Sequence, residues 1–245
     1  MADTIKLARF LAKAGLGSRR ACEAIITSGD VVVDGVVTTS PAERVDPNAA
    51  VVQYQGRQLS LPEKIYILLH KPVGYTCTSS DKNAKRLAIN LLDVPQNVRV
   101  FNVGRLDRDS EGLILFTNDG DFSDHVAHPR NKIEKEYVVH VIGEINGKHL
   151  QRMERGIRDR GESLKADRVS IIRKRSNGAV IRIVISEGKK REIRRMCKGV
   201  GLEVKRLIRV RIGLLKMGKL NPGFNRQLTE EEVKSLWSSG KKKSR

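Results

Sequence analysis

The chain turns on one stretch, Gly104-Arg105-Leu106-Asp107-Arg108-Asp109-Ser110-Glu111-Gly112-Leu113-Ile114-Leu115-Phe116-Thr117-Asn118-Asp119-Gly120. A carboxylate, Asp107, stands between two arginines in a glycine-bounded turn, and an apolar strand over 114–117 follows at once. Held beside Arg105, such a carboxyl stays ionised, because the cation favours the charged form and a guanidinium fixes its direction. That environment suits a tuned reactive group and a structural ion pair alike.

The rest of the composition narrows the partner. With 245 residues and 39% hydrophobic side chains the chain can bury a core in one large or two modest domains. Its formal net charge of +19 attracts polyanions, so nucleic acid is the first partner expected. No basic helix with a large apolar face supports an anionic membrane surface instead. Neither a signal peptide nor a bilayer-length apolar run is present, and a cytoplasmic location is expected. Cys22, Cys77 and Cys197 are widely spaced and expected as reduced, mostly buried thiols. The five histidines are scattered too, so no metal site is expected.

Toward the N-terminus, Leu7, Leu11 and Ala14 fall at helical spacing before Gly15. A second helix should start at Ser18 as N-cap, carry Ala21, Ala24 and Ile25, and stop at Gly29. Valines on both sides of Asp34-Gly35 predict a hairpin with a type I′ turn, and Val51, Val52, Tyr54 and Gly56 another. This unit resembles the S4-type RNA-binding domain. The resemblance implies that Lys6, Arg9, Lys13, Arg19 and Arg20 line a phosphate-contacting helix face.

Residues 61–64 read as a linker. Strands are expected over 65–69, 114–117, 137–142, 169–172 and 179–185, with helices near 150–155 and 192–199, an α+β arrangement without a βαβ repeat. No dinucleotide or Walker-type glycine loop follows a strand. A capping box at Thr229-Glu230-Glu231-Glu232 starts a last helix, and a basic tail ends the chain. The expected domains are 1–60 and 64–237, with 238–245 as the tail.

The opening stretch is similar to the catalytic motif of the RsuA-like group of ribosomal RNA pseudouridine synthases, whose catalytic Asp corresponds to Asp107. Lys71-Pro72-Val73-Gly74 resembles the first motif of these enzymes. Lys135-Glu136-Tyr137 resembles their Lys-x-Tyr motif, which implies that Tyr137 packs on the target base. The segment 187–196 resembles Glu-Gly-Arg-Asn-Arg-Gln-Ile-Arg-Arg-Met, in which the arginine after Ile reaches the catalytic Asp; that residue is Arg194. Here Lys189 and Lys190 replace Arg and Asn, and Glu192 replaces Gln.

The resemblance spans about residues 4 to 237 and implies a small S4-like domain followed by a catalytic domain with a mixed, largely antiparallel sheet flanked by helices. Asp107, Arg105, Arg194 and Tyr137 would carry the chemistry without a cofactor. Lys189, Lys190, Arg191 and Arg195 would contact RNA. So would Lys205, Arg206, Arg209 and Arg211, whose strand alternates basic and apolar side chains as if one side faced phosphate. That strand and Leu220-Asn221-Pro222-Gly223 most resemble the B branch of the group, whose members act on the large subunit. This implies 23S ribosomal RNA or a large-subunit precursor as partner and a role in ribosome biogenesis; nothing in the sequence demands more than a monomer, which is the state expected. The competing expectations are a small-subunit synthase, a ribosome-associated S4 protein without catalysis, and a hydrolytic base glycosidase.

Overall fold

A computed structural model describes residues 4–78, 86–95 and 98–240, so the basic tail at 241–245 lies outside the described residues. The chain divides into two compact units. The first runs to Lys64 and takes in Val94–Arg99 and Asn118–Gly120; the second is drawn from the described residues of Ile65–Asp93, Val100–Thr117 and Asp121–Arg245.

In the first unit, β1 (Ile5–Lys6), α1 (Leu7–Lys13) and α2 (Arg19–Thr27) precede β2 (Val31–Val33), β3 (Val36–Thr38), β4 (Arg44–Val45), β5 (Val52–Tyr54) and β6 (Arg57–Gln58). Ser18 caps α2 by accepting the Ala21 N–H at 3.2 Å. Asp34 and Gly35, at φ 50° and 84°, make the expected tight turn between β2 and β3. The sheet order is β3-β2-β5-β6, and β1 pairs with β4. Its core is Leu7, Phe10, Leu11, Cys22, Ile26, Val31 and Val52. On α2 the buried stripe is therefore Cys22 and Ile26, one turn apart, while Ala21 and Ala24 are exposed. The expected stripe was misplaced because alanines are too small to draw a helix face inward against an isoleucine.

The second unit begins with β7 (Tyr66–Lys71), β8 (Phe101–Val103) and β9 (Glu111–Thr117), then α3 (Gly120–Ala127) and β10 (Lys135–Ile142). Next come α4 (Gly147–Arg155), β11 (Ile157–Asp159), β12 (Glu162–Leu164), β13 (Arg168–Arg175) and β14 (Gly178–Ile185). The unit closes with α5 (Glu192–Gly199), β15 (Glu203–Ile212), β16 (Leu215–Lys216), β17 (Asn225–Gln227) and α6 (Glu230–Ser238). The main sheet runs β13-β14-β10-β15-β9-β7-β17. Its pairings are antiparallel except β9 with β15, so the sheet is mixed and largely antiparallel. All of β9 is buried, and so it reads as an unbroken apolar run and not an alternation. Leu68, Leu113, Leu115, Phe122, Ile212 and Leu236 lie in one core. Thr229 and Glu232 cap α6 reciprocally, the Glu232 N–H donating to Thr229 Oγ1 at 3.3 Å and the Thr229 N–H to Glu232 Oε2 at 3.0 Å.

Candidate active site

Asp107 lies in the loop between β8 and β9, and hydrogen bonds fix that loop from two sides. The Ser110 N–H donates to the Asp107 carbonyl at 3.1 Å, and the Gly74 N–H donates to the Arg108 carbonyl at 2.8 Å. The turn that carries Gly74 is itself pinned by Lys71. That side chain is fully buried at the end of β7, and its Nζ donates to the Pro72 and Tyr75 carbonyls at 2.9 Å each. A desolvated ammonium demands such acceptors, and meeting them ties the Lys-Pro-x-Gly turn to the loop bearing Asp107.

The half-buried Asp107 opens onto a cleft of about 520 Å³, also lined by Arg105, Lys135, Tyr137, Arg191 and Arg209. Tyr137, 7% exposed, sits opposite Arg209 across the β10–β15 pair. Lys135 is two residues before it and so on the same side of β10. Sequence reasoning thus assigned Asp107, Arg105 and Tyr137 to a common site, and the structure brings all three to one cleft.

Arg194 behaves differently from expectation. Its Nη2 donates to the Asp109 carbonyl at 2.7 Å, and Nε stands 3.2 Å from Asp109 Oδ2 without the alignment of a hydrogen bond. The guanidinium beside Asp107 belongs to Arg191, 4.0 Å from its Oδ2. Arg191 also grips Asp109 with two parallel bonds of 3.0 and 2.9 Å. It does so from a left-handed backbone, φ 51°, at the N-cap of α5. Asp109, overlooked at the sequence level, is therefore the carboxylate that both arginines hold. Burial would raise its pKa, but hydrogen bonds from Arg191 and the charges of Arg194 and Arg191 outweigh that and hold it below the usual carboxylate value.

Two further groups on the lining were missed as site residues. Burial, reinforced by the charge of Arg209, lowers the Lys135 pKa to about 8. Glu192 is 3% exposed, and burial pushes its carboxyl up toward the neutral form. The signal for Lys135 was its two-residue spacing from Tyr137.

Among the cations expected to meet RNA, Lys6, Arg19, Arg20, Lys190, Arg191, Lys205 and Arg206 are exposed, and Arg9, Lys13, Lys189, Arg195 and Arg211 half-buried. Arg209 is placed differently from these: it is 4% exposed on the cleft lining and not on an open strand face, and its Nε donates to the Leu113 carbonyl at 2.7 Å. Strand alternation puts it on the same face as buried Leu207, away from Arg206. Several neighbours already have carboxylate partners. Arg206 pairs with Glu111, Arg195 with Asp159 and Glu162, and Arg211 with Glu134 and Glu136.

No group of three or more His, Cys, Asp or Glu among the described residues is placed to hold a metal ion, and no described helix is long and apolar enough to cross a membrane.

A carboxylate, a stacking-size aromatic and several cations around one cleft, on a mixed sheet that follows a small helix–sheet unit in the chain, define a nucleic-acid-modifying enzyme. A family model described as RNA pseudouridylate synthase matches residues 65–199, and the S4 domain model matches 5–51. An uncharacterized RNA pseudouridine synthase of Aquifex aeolicus is 36% identical, over 96% of this chain and 94% of that protein. The ribosomal large subunit pseudouridine synthase B of Bacillus subtilis is 35% identical, over 94% and 95%. A putative ribosomal large subunit pseudouridine synthase of Arabidopsis thaliana chloroplasts is 38% identical over 94% of this chain, which spans 60% of that protein's length. A crystal structure of a pseudouridylate synthase superposes with a TM-score of 0.66 at 25% identity, covering 95% of this chain and 99% of that one. The chain belongs to the RNA pseudouridine synthase family, in its RsuA-like group, and carries an S4 domain ahead of the catalytic domain.

Proposed function

We propose that the protein converts a uridine of large-subunit ribosomal RNA to pseudouridine, with Asp107 as the residue that engages the ribosyl-uracil linkage. The observation that carries the reading is the meeting of Asp107 and Tyr137 on one cleft. The reaction breaks the bond from ribose to N1 of uracil, turns the base and rejoins it through C5, so the base must leave its stack and enter a pocket. Tyr137 gives the loosened base a face on which to turn. Arg191, 4.0 Å from Asp107, and Arg105 on the same lining direct the carboxylate, while Arg194 braces the loop through Asp109.

The large subunit is favoured by the names of the Bacillus and Arabidopsis relatives. In this reading residues 1–60 form the RNA-binding domain and 64–237 the catalytic domain of a cytoplasmic monomer. The exposed Lys6, Arg19 and Arg20 of the first, with Lys190 and Lys205 of the second, contact phosphates. Mapping pseudouridine in ribosomal RNA from cells with and without the protein tests this. One large-subunit position should lose its modification; loss from small-subunit RNA instead would overturn the substrate assignment.

A further inference from the structure

We propose that Lys135 and Arg209 act as a cationic pair that stabilises the uracil base while it is detached from the ribose. The inference rests on the reading of the Asp107 cleft as the active site.

Three observations on one cleft lead there. Arg209 is almost wholly buried, uses Nε on the Leu113 carbonyl and leaves Nη2 with no hydrogen-bond partner. A buried donor without an acceptor is costly to keep, and a ligand that supplies the acceptor removes the cost. Lys135 lies on the same side of β10 as Tyr137, which itself faces Arg209, so both cations flank the aromatic on which the base would turn. Finally, no ion pair joins Lys135 to a carboxylate among the described residues, and burial raises the pKa of Glu192, the acid on the lining whose charge it senses. Neither cation thus has a paired anion, Asp107 on the same lining being the group assigned to the ribosyl-uracil linkage.

The reaction supplies one. When the bond from ribose C1′ to N1 breaks, its electron pair stays with the base and spreads from N1 to O2 and O4. The C5=C6 pair then forms the new bond from C5 to C1′, the C5 proton leaves, and N1 gains a proton. Turning the base about its N3–C6 axis exchanges O2 with O4, so two donors serve it in either orientation. Donors fixed where charge develops stabilise the transition state without reorganising.

The test is single-turnover pseudouridine formation by the full chain on total RNA isolated from cells lacking the protein. Lys135→Met should slow turnover by about a hundredfold with RNA affinity unchanged, and Lys135→Arg should recover most of that loss. Because burial sets Lys135 near 8, the wild-type rate should fall as pH rises through that value, whereas Lys135→Arg keeps its charge and its rate. The groups whose charge Lys135 senses are Arg209 on β15, Glu192 on α5 and Asp167 ahead of β13. A Lys135→Met enzyme as fast as wild type would overturn the proposal. So would a Lys135→Arg enzyme with the wild-type alkaline decline, a comparison that holds even if the Met variant fails to fold. Asp107→Asn, run alongside, separates the two readings: activity there removes the site assignment itself, while an inactive Asp107→Asn beside a wild-type Lys135→Met removes only the cationic pair.

Discussion

Gly112 lies so close to Arg209 that a Cβ on it would stand 2.3 Å from the Arg209 carbonyl oxygen and 2.7 Å from its nitrogen. This approach is where β9 and β15 run parallel, with Arg209 paired to Gly112. It joins the strand that follows the Asp107 loop to the strand that carries Arg209 into the cleft. Gly112 also has φ 108°, a conformation side chains disfavour.

Gly112→Ala should therefore destabilise the protein by more than about 3 kcal/mol, since backbone and not a flexible side-chain tip must yield. Urea unfolding measures it. A midpoint equal to that of wild type would mean that the two strands can part without cost.

Asp109→Asn should release Arg191 from its two parallel bonds while Arg194 keeps its bond to the Asp109 carbonyl, lowering turnover while leaving some, because Asp107 remains. Its effect on stability should depend on pH. Folding holds the Asp109 carboxyl below its ordinary value, so its contribution is complete above about pH 4 and is lost as pH falls through the folded value. Thermal midpoints of wild type and variant should differ at pH 7 and converge toward pH 3. A gap that does not change with pH would contradict the ion-pair role.

Tyr137→Ala should cut turnover strongly, in line with roughly 1 to 3 kcal/mol for stacking one base, and Tyr137→Phe should be much milder. Single-turnover rates decide. If the alanine variant is as fast as wild type, Tyr137 only fills the core on which it already packs.

Much of this was legible because the relevant signals are local. The type I′ turn at Asp34-Gly35, the Ser18 cap and the Thr229–Glu232 box each need only a few neighbouring residues, and each formed. The loop of Asp107 was legible for the same reason. What escaped was set by long-range pairing. That Arg191 and not Arg194 approaches Asp107 depends on where α5 begins, and its first turn opens on a left-handed residue that no propensity suggests. Arg209 looked wet because it alternates with Lys205 and Arg211 along what reads as one basic side of its strand. Only its pairing with β9 and β10 reveals which face is buried. The stretch 241–245 lies outside the described residues.

Replacing Lys6, Arg19 and Arg20 together by alanine should weaken RNA binding and flatten its salt dependence by about 0.7 for each phosphate of single-stranded RNA that is no longer neutralised. Affinity titrations over a range of salt concentrations measure both. An unchanged slope would mean that this face of the S4 domain does not meet phosphate.

The most direct test of the account is pseudouridine formation by purified Asp107→Asn, with RNA affinity measured on the same preparation. The amide keeps the shape of the carboxylate but removes its charge and its nucleophilic and basic oxygen. The account expects no detectable pseudouridine with RNA binding close to wild type; measurable turnover by this variant would contradict it.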